Sequence, residues 1–261
     1  MVAARRLTEA GLCLSRDGDA VTVTLDRPER RNAQTPAMWS ALADIGRELP
    51  GDVRFVILRG AGASFSSGLD VAAFGSGIDG EITLAGIAAL PSAAAQEVIA
   101  SFQRAFTWWS RPDIITIAVV QGHAIGAGAQ LALACDLRIA ADDMQLSLPE
   151  ASLGLVPDLG GTAALVRAVG FSRALEICLT GRHIGAAEAH RLGLVTIVVA
   201  PTDLDAALAD CVSAMRATKR ETATEIKALL SLALDQTVER QLASEREAQV
   251  RRLKDAAQIG D

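Results

Sequence analysis

Two glycine-rich segments of the chain have the residue types to bind a negatively charged oxygen atom. They are "VILRGAGASFSSGLD" at residues 56–70 and "VQGHAIGAGAQLALACD" at residues 120–136. Each leads from an apolar, strand-like run through small residues into a helix-like run, and the first N–H groups of a helix lack intrahelical partners. Small residues let a ligand approach these N–H groups, so the two turns together could present two donors to one oxygen. A tight turn without a function remains the alternative for either segment alone.

The elements that would position these turns alternate between strand and helix. Val21, Val23 and Leu25 alternate with threonines, which is the pattern of a half-buried strand. The strand-like runs at residues 53–60 and 115–122 are more apolar, as is typical of strands that are covered on both faces. The alternation predicts an α/β fold with parallel strand pairing.

Further sequence signals predict where one helix begins and how the chain is divided. Thr35 as N-cap and Pro36 as first helical residue predict the start of a helix. Beyond about residue 160 the sequence is mostly helical in pattern. We predict an α/β core over residues 1–195, a helical region over residues 196–261, and a mobile loop over residues 75–95.

The composition argues against several classes of protein. The chain has 261 residues and a net charge of −6, and its basic residues are scattered, so we expect no binding to nucleic acid. The most membrane-like stretch, residues 114–134, is interrupted by Gln121, His123 and Gln130, so we expect no membrane span. The four cysteines lie far apart without metal-ligand spacing, which predicts free thiols, no metal site and a cytoplasmic location.

Four motifs in order resemble those of the enoyl-CoA hydratase/isomerase family, also called the crotonase family. They are "RPERRNA" at residues 27–33, "ASFSSGLD" at 63–70, "GHAIGAGAQLALACDLRIA" at 122–140 and "LPEASLGLVPDLGGT" at 148–162. The resemblance covers roughly residues 12–235. It implies a crotonase-like ββα spiral core with a helical C-terminal trimerisation region, and a homotrimer or a dimer of trimers. It also implies an acyl-CoA substrate of fatty acid metabolism, with no metal or redox cofactor.

The resemblance assigns residues around the thioester and the CoA. Family members hold the thioester carbonyl oxygen with two backbone N–H groups, which here match those of Leu69 and Ala127. The CoA lies along the first glycine-rich turn and near the "RPERRNA" segment. The residues that match these CoA contacts are Arg30, Arg31, Ser67 and Asp70. Residues 75–95 would then cover the acyl group.

One of the two carboxylates of the family's hydratases is missing. Those enzymes hold a water molecule between two glutamates and move its proton. The matching positions here are Gln130 and Glu150, so the water site lacks one glutamate. Because glutamine is neutral, Gln130 cannot act as a general base, and it would instead orient substrate or water.

Asp158 is a second candidate acid/base group. It lies eight residues after Glu150, and this spacing is similar to that of the family's dienoyl-CoA isomerases. An N-cap of the following helix is the alternative role, since a carboxylate is stabilised at a helix N-terminus.

The chemistry expected of this set is a proton transfer next to a thioester. Two N–H donors stabilise the enolate oxygen, and one carboxylate with a pKa raised by desolvation suffices to move a double bond. Addition of water also requires a held and activated nucleophile, so Gln130 favours isomerase-type chemistry over hydration. The alternatives are a non-catalytic acyl-CoA binding or shuttling protein and an efficient hydratase using Glu150 and Asp158. A nicotinamide or flavin oxidoreductase is disfavoured because no G-x-G-x-x-G motif follows a strand in the required register.

Overall fold

The computed structural model describes residues 4–74 and 81–257 as alternating strands and helices. In this part of the chain the strands are β1 (Leu12–Asp17), β2 (Ala20–Leu25), β3 (Phe55–Gly60), β4 (Ile115–Val120), β5 (His123–Ile125), β6 (Leu137–Ala141), β7 (Gln145–Ser147), β8 (Ile184–Gly185) and β9 (Ile197–Val199). The helices are α1 (Ala4–Glu9), α2 (Pro36–Glu48), α3 (Leu84–Ala88), α4 (Ser92–Thr107), α5 (Ala127–Ala134), α6 (Gly161–Val169), α7 (Phe171–Thr180), α8 (Ala186–Arg191), α9 (Leu204–Arg216), α10 (Arg220–Leu232) and α11 (Val238–Ala256).

The larger sheet has six strands in the order β1-β2-β3-β4-β6-β9. β1 and β2 form an antiparallel hairpin, and every later pairing in this sheet is parallel. β3 and β4 are apolar and almost wholly buried because both faces of the sheet are covered. The predicted α/β class with parallel pairing is therefore confirmed.

A smaller sheet carries the start of the second glycine-rich turn. Its strand order is β5-β7-β8, with β5 parallel to β7 and β7 antiparallel to β8. β5 follows β4 after only two residues, Gln121 and Gly122, so the chain leaves the large sheet and enters the small one in a sharp turn. This change of sheet places the beginning of α5 beside the first glycine-rich turn.

Successive residues of β3 face two different hydrophobic clusters. Val56 and Leu58 belong to the larger cluster, which α2, α4 and α5 cover. Phe55 and Ile57 face the opposite side, where they pack in a cluster with residues of α9. Alternation along the strand thus divides the core between the two faces of the sheet.

The predicted start of α2 is confirmed in atomic detail. Pro36 is its first residue, and the Thr35 hydroxyl accepts a hydrogen bond from the Met38 N–H at 3.1 Å. This bond satisfies one of the N–H groups that the first turn of a helix leaves unpaired.

The prediction of a mobile loop over residues 75–95 is wrong from residue 84 onward, where α3 and the first turn of α4 are found. The Thr83 hydroxyl caps α3 by accepting from the Gly86 N–H at 3.0 Å. α4 begins with an alanine-rich run that strongly favours helix, and the glycines before it concealed this preference. Residues 75–80 lie outside the described residues.

The region after residue 195 is mostly helical, but its first two elements complete the core. β9 pairs with β6 at the edge of the large sheet. α9 buries Leu204 and Val212 against the second face of that sheet. The division into an α/β core over residues 1–195 and a helical region over residues 196–261 stays a prediction. None of the helices in the described ranges combines the length and apolar character needed to cross a membrane.

Candidate active site

The first glycine-rich turn ends in a parallel bridge between Leu69 and Gln34. The Gln34 N–H donates to the Gly68 carbonyl at 2.7 Å, and the Asp70 N–H donates to the Gln34 carbonyl at 2.8 Å. Because successive peptide groups of an extended chain point in opposite directions, the Leu69 N–H is directed away from Gln34. No backbone acceptor among the described residues pairs with this N–H, so it can be donated to a ligand.

The second turn presents the N-terminus of α5. Gly126 precedes the helix with φ +53° and ψ −119°, a conformation that favours glycine. Its N–H donates to the Ser147 carbonyl at 2.9 Å, which ties the turn to β7. Ala127 is the first residue of α5, so its N–H has no partner within the helix and lies at the positive end of the helix dipole.

The two turns lie side by side. The Ser66 N–H donates to the His123 carbonyl at 2.7 Å, and the Ile125 N–H donates to the Ser66 carbonyl at 3.0 Å. Gly68 has φ +89°, and a Cβ atom built on it would lie 2.6 Å from the Ile125 oxygen and 3.5 Å from the Ala127 nitrogen. Only glycine allows this close approach, which places Gly68 next to the N-terminus of α5.

Glu150 follows β7 and begins a short 3₁₀ turn beside the second glycine-rich turn. Its Oε1 lies 3.6 Å from the position of a Cβ built on Gly126. Its Oε2 is buried and has no hydrogen-bond partner among the described residues. Burial raises the pKa of this carboxyl group above its ordinary value, and the charge of Asp158 raises it further. A carboxyl group with one unpaired oxygen is therefore located next to the two turns.

Gln130 is buried and connects Glu150 to the start of α6. Its Oε1 accepts from the Leu159 N–H at 2.9 Å and from the Gly161 N–H at 3.2 Å. These two donors fix the orientation of the amide, so the Nε2 group donates to Glu150 Oε1 at 2.9 Å. The hydrogen bond favours the ionised carboxylate and partly opposes the effect of burial on the pKa of Glu150.

Asp158 is not the cap of α6, contrary to the alternative role considered for it. The N-cap is Gly160, which has no side chain that could accept a hydrogen bond from the helix. Gln130 instead accepts from the Leu159 and Gly161 N–H groups, so a carboxylate cap is not required there. Although Asp158 as a residue is exposed, partial desolvation of its carboxyl group raises its pKa. The negative charge of Asp158 also contributes to the raised pKa of Glu150.

Three of the four predicted CoA-binding residues adjoin the first turn. The Ser67 N–H donates to the Arg31 carbonyl at 2.9 Å, and its hydroxyl donates to the Arg30 carbonyl at 3.3 Å. Both arginines are exposed and stand at the end of the 3₁₀ turn Pro28–Arg30. The two motifs thus meet, while contacts of these side chains with CoA remain a prediction.

Asp70, the fourth predicted CoA-binding residue, stabilises the first glycine-rich turn from inside the protein. The residue is only 3% exposed, and its carboxylate pairs with Arg27 at 3.0 Å and accepts from the Ala72 N–H at 3.1 Å. Burial opposes ionisation of this group, but the Ala72 N–H and the Arg27 guanidinium hold its pKa below the ordinary value. A contact of Asp70 with CoA also remains a prediction.

The structure adds buried polar residues that sequence reasoning missed. Asn32, Gln34 and Ser66 are fully buried behind the first turn and hydrogen-bonded to it or to each other. The signal in the sequence was the polar pair in "NAQ", directly after the arginines and before the N-cap of α2. Polar residues next to two arginines suggest a solvent-exposed segment. Only the fold shows that their side chains are buried and stabilise the first glycine-rich turn. Across the described ranges no group of three or more histidine, cysteine or acidic residues could hold a metal ion.

Proteins of known sequence are similar to this one over most of its length. A profile of the family described as enoyl-CoA hydratase/isomerase matches residues 16–258. EchA8 of Mycobacterium tuberculosis, assigned as an enoyl-CoA hydratase, is 33% identical over 203 residues, which cover 76% of this chain and 72% of that protein.

Solved structures match the fold closely. A Thermobifida fusca YX protein assigned as an enoyl-CoA hydratase, solved in complex with acetoacetyl-CoA, is 49% identical and superimposes with a TM-score of 0.93, covering 97% of this chain and 98% of that one. A T. fusca YX protein with the same assignment has been solved in complex with CoA. It is 48% identical to this chain, with a TM-score of 0.93, and the match covers 98% of both chains. The fold is therefore the crotonase fold, and the chain belongs to the enoyl-CoA hydratase/isomerase family.

Proposed function

We propose that this protein moves a double bond of an enoyl-CoA thioester through an enolate intermediate. The observation that carries this proposal is the position of Glu150, a half-buried residue whose buried Oε2 has no hydrogen-bond partner among the described residues, beside the turns that carry the Leu69 and Ala127 N–H groups. The T. fusca relative binds acetoacetyl-CoA, which supports an acyl-CoA ligand for the same site here.

The reaction uses one carboxylate twice. Glu150 Oε2 removes a proton from the carbon between the thioester carbonyl and the double bond of a 3-enoyl-CoA. The electron pair moves toward the thioester oxygen, where the Leu69 and Ala127 N–H groups stabilise the negative charge. Glu150 then returns the proton to the far carbon of the conjugated system, which yields the 2-enoyl-CoA and restores the carboxylate.

Gln130 favours this isomerisation over hydration. Both acceptor sites of its Oε1 are occupied by the Leu159 and Gly161 N–H groups, and one Nε2 hydrogen is donated to Glu150. Gln130 therefore has no acceptor left to take up a proton from water. Glu150 would have to activate the water alone or with Asp158, which is the hydratase alternative.

The CoA part of the substrate is assigned to the side of the first turn. The exposed Arg30 and Arg31 would contact its phosphates, and Ser67 and Asp70 would lie along its length. No metal or redox group takes part in the proposed steps, since a thioester enolate needs only N–H donors and one base.

The assembly that fits this proposal is a homotrimer or a dimer of trimers acting in the cytoplasm. Large apolar side chains are exposed on helices after residue 160, and a second copy would cover them. Examples are Phe171 and Leu179 on α7, Leu230 on α10 and Leu253 on α11. Light scattering of the purified protein measures the number of subunits.

Turnover of two thioester isomers tests the proposed reaction. The purified protein is incubated with a 3-enoyl-CoA and with a 2-enoyl-CoA, and absorbance and products are followed. We expect the 3-enoyl substrate to isomerise faster than the 2-enoyl substrate is hydrated. The Glu150→Gln variant should lose about 10²- to 10⁴-fold in kcat, the usual contribution of a general base. The matched control is Glu239→Gln, at an exposed site on α11, which should keep full activity.

Two results would contradict the proposal. Tight binding without turnover, unchanged by Glu150→Gln, would make the protein a non-catalytic acyl-CoA binder. Hydration faster than isomerisation, abolished by Asp158→Asn, would make it a hydratase that uses Glu150 and Asp158.

A further inference from the structure

Ser66 is the centre of the buried polar cluster behind the first turn. Its side chain is fully buried, and its hydroxyl accepts from the Gly68 N–H at 3.2 Å and from Gln34 Nε2 at 3.1 Å. The same hydroxyl donates to the Asn32 carbonyl at 2.8 Å. Three partners therefore fix the position of one hydroxyl group at the Ser67–Gly68 peptide, one peptide before the group that carries the Leu69 N–H.

The backbone of Ser66 also holds the second turn. Its N–H and carbonyl pair with His123 and Ile125 on either side of a parallel bridge to Ala124. A Cβ atom built on Gly128, in the first turn of α5, would lie 2.6 Å from the Ser66 carbonyl oxygen. One residue is thus in contact with both glycine-rich turns, the first through its side chain and the second through its main chain.

The hydroxyl cannot be replaced by other groups of the cluster. Gln34 is already held at its Oε1, which accepts from the Trp39 indole N–H at 2.7 Å, so its amide cannot turn over to offer an acceptor to Gly68. Without the Ser66 hydroxyl, the Gly68 N–H and Gln34 Nε2 would lose their acceptor inside the protein. The Ser67–Gly68 peptide would then rotate toward another acceptor, which changes the backbone angles at Gly68. The next peptide, which carries the Leu69 N–H, is held by Gln34 through its Gly68 carbonyl, and Gln34 would itself lose the acceptor of its side chain. We therefore expect the direction of the Leu69 N–H to change as well.

From these contacts we infer that Ser66 is a positioning residue that sets the distance and direction of the Leu69 N–H relative to the Ala127 N–H. This inference rests on the proposed function, in which both N–H groups stabilise a thioester enolate. An oxyanion requires donors at about 2.7–3.1 Å, so a small rotation of one turn weakens that stabilisation. CoA binding along the outer side of the turn does not depend on the hydroxyl.

The ionisation of bound acetoacetyl-CoA tests this role, because its enolate absorbs in the ultraviolet and the neutral ligand does not absorb in the same way. The enolate fraction is measured against pH for the wild-type protein and for Ser66→Ala, together with the affinity for CoA alone. In Ser66→Ala we expect an enolate fraction about tenfold smaller at the same pH, within the loss known for a displaced oxyanion donor. We expect the affinity for CoA to change by less than about twofold, and the kcat of the isomerisation to fall more than KM rises.

A matched control separates positioning from general loss of stability. Thr116→Val removes another fully buried hydroxyl, which donates to the Trp109 carbonyl at 2.9 Å at the base of β4. It should lower the melting temperature without reducing the enolate fraction. If Ser66→Ala does not fold, Ser66→Cys is measured in the same way, since a thiol is a weak acceptor and should give an intermediate enolate fraction.

The outcomes distinguish this inference from the proposed function. A folded Ser66 variant with the wild-type enolate fraction and kcat would overturn the role of Ser66 alone. A wild-type protein that binds acetoacetyl-CoA without stabilising its enolate would instead overturn the proposed function.

Discussion

Four influences set the charge of Glu150 in the free protein. Burial disfavours the carboxylate, and a backbone N–H and the Gln130 amide N–H favour it, while the negative charge of Asp158 disfavours it. The net result is a pKa above the ordinary value for glutamate. A base with a raised pKa binds the transferred proton more strongly, which suits a group that must remove a proton from carbon and return it.

The pH dependence of the reaction should respond to both neighbours in opposite directions. Because the ionised form of Glu150 is the base, kcat/KM falls as the pH is lowered through its pKa. Gln130→Leu removes the donor that favours the carboxylate, so the acidic limb should move to higher pH. Asp158→Asn removes a negative charge, so the limb should move to lower pH. The measurement is the pH profile of kcat/KM with a 3-enoyl-CoA for the three proteins.

The size of the effect at high pH separates the roles of Asp158. If Asp158 acts only through its charge, Asp158→Asn should keep at least about a tenth of the wild-type kcat, less than the loss of a general acid/base. A loss of 10²-fold or more would show that Asp158 takes part in proton transfer itself. A limb that moves to higher pH would contradict the effect of its charge on Glu150.

At the scale of elements, the two glycine-rich turns depend on backbone conformations that other residues adopt poorly. Gly68 combines φ +89° with a carbonyl oxygen 2.6 Å from any added Cβ atom. The close contact arises because two turns that are far apart in the sequence pack against each other.

Gly68→Ala should separate the two turns. The left-handed backbone alone costs about 1–2 kcal/mol for a residue with a Cβ atom, and the contact with the Ile125 carbonyl forces the turn to move. We expect the free energy of unfolding to fall by at least this amount, and kcat to fall about 10²-fold or more as one oxyanion donor is displaced. Urea denaturation and kcat/KM with a 3-enoyl-CoA measure the two effects.

Gly18→Ala is the matched control for this change. Gly18 lies in the β1–β2 hairpin with φ +57°, and no atom lies within 4 Å of a Cβ built on it. It should therefore show the backbone cost of about 1–2 kcal/mol without a loss of activity. Full activity in Gly68→Ala, or equal losses of activity in both variants, would contradict the argument that the close approach of the turns is required.

The elements that sequence patterns predicted are those with a local signal. β2, β3 and β4 follow from apolar periodicity, and α2 follows from Thr35 and Pro36. α3 and the first turn of α4 were missed because glycines and a proline interrupt a stretch whose helices are stabilised by alanine propensity and capping. Motif order was enough to bring Glu150 and Gln130 into one hypothesis about the site.

The rest of the site depends on contacts that the sequence does not encode locally. The bonds of Ser66 to Gln34 and to His123 join residues that are 32 and 57 positions apart, and nothing in their immediate neighbours indicates these pairs. The N-cap role considered for Asp158 was wrong because a glutamine from α5 occupies the N–H groups at the start of α6. At Ser66 and at the start of α6, contacts between distant residues decide the structure, and local sequence patterns do not predict them.

At the scale of the whole molecule, the helical C-terminal region is fastened to the core through a partly buried ion pair. Lys227 on α10 donates to the Ile114 carbonyl at 2.8 Å and to the Asp136 carboxylate at 2.7 Å. Asp136 also accepts from the Thr116 N–H at the start of β4. Because α9 completes the second face of the sheet as well, we expect the region after residue 195 to unfold together with the core.

Lys227→Met should lower the stability of the whole molecule in one transition. The change leaves the Asp136 carboxylate without its cation in a site where the lysine side chain is only 12% exposed, so the free energy of unfolding should fall by about 1–3 kcal/mol. All three tryptophans precede residue 196, so fluorescence reports on the core, while circular dichroism reports on all helices. Urea unfolding followed by both signals measures whether the two transitions coincide.

Lys219→Met, at the exposed residue before α10, is the control and should change the stability by less than about 0.5 kcal/mol. Coincident transitions at a lower midpoint in Lys227→Met would mean that the ion pair joins two parts of one cooperative unit. A loss of helical signal that precedes the change in fluorescence would mean that residues 196–261 unfold separately, which would contradict this expectation. In that case the pairing of β9 with β6 would contribute little to cooperativity, because that edge strand would leave the sheet before the core unfolds.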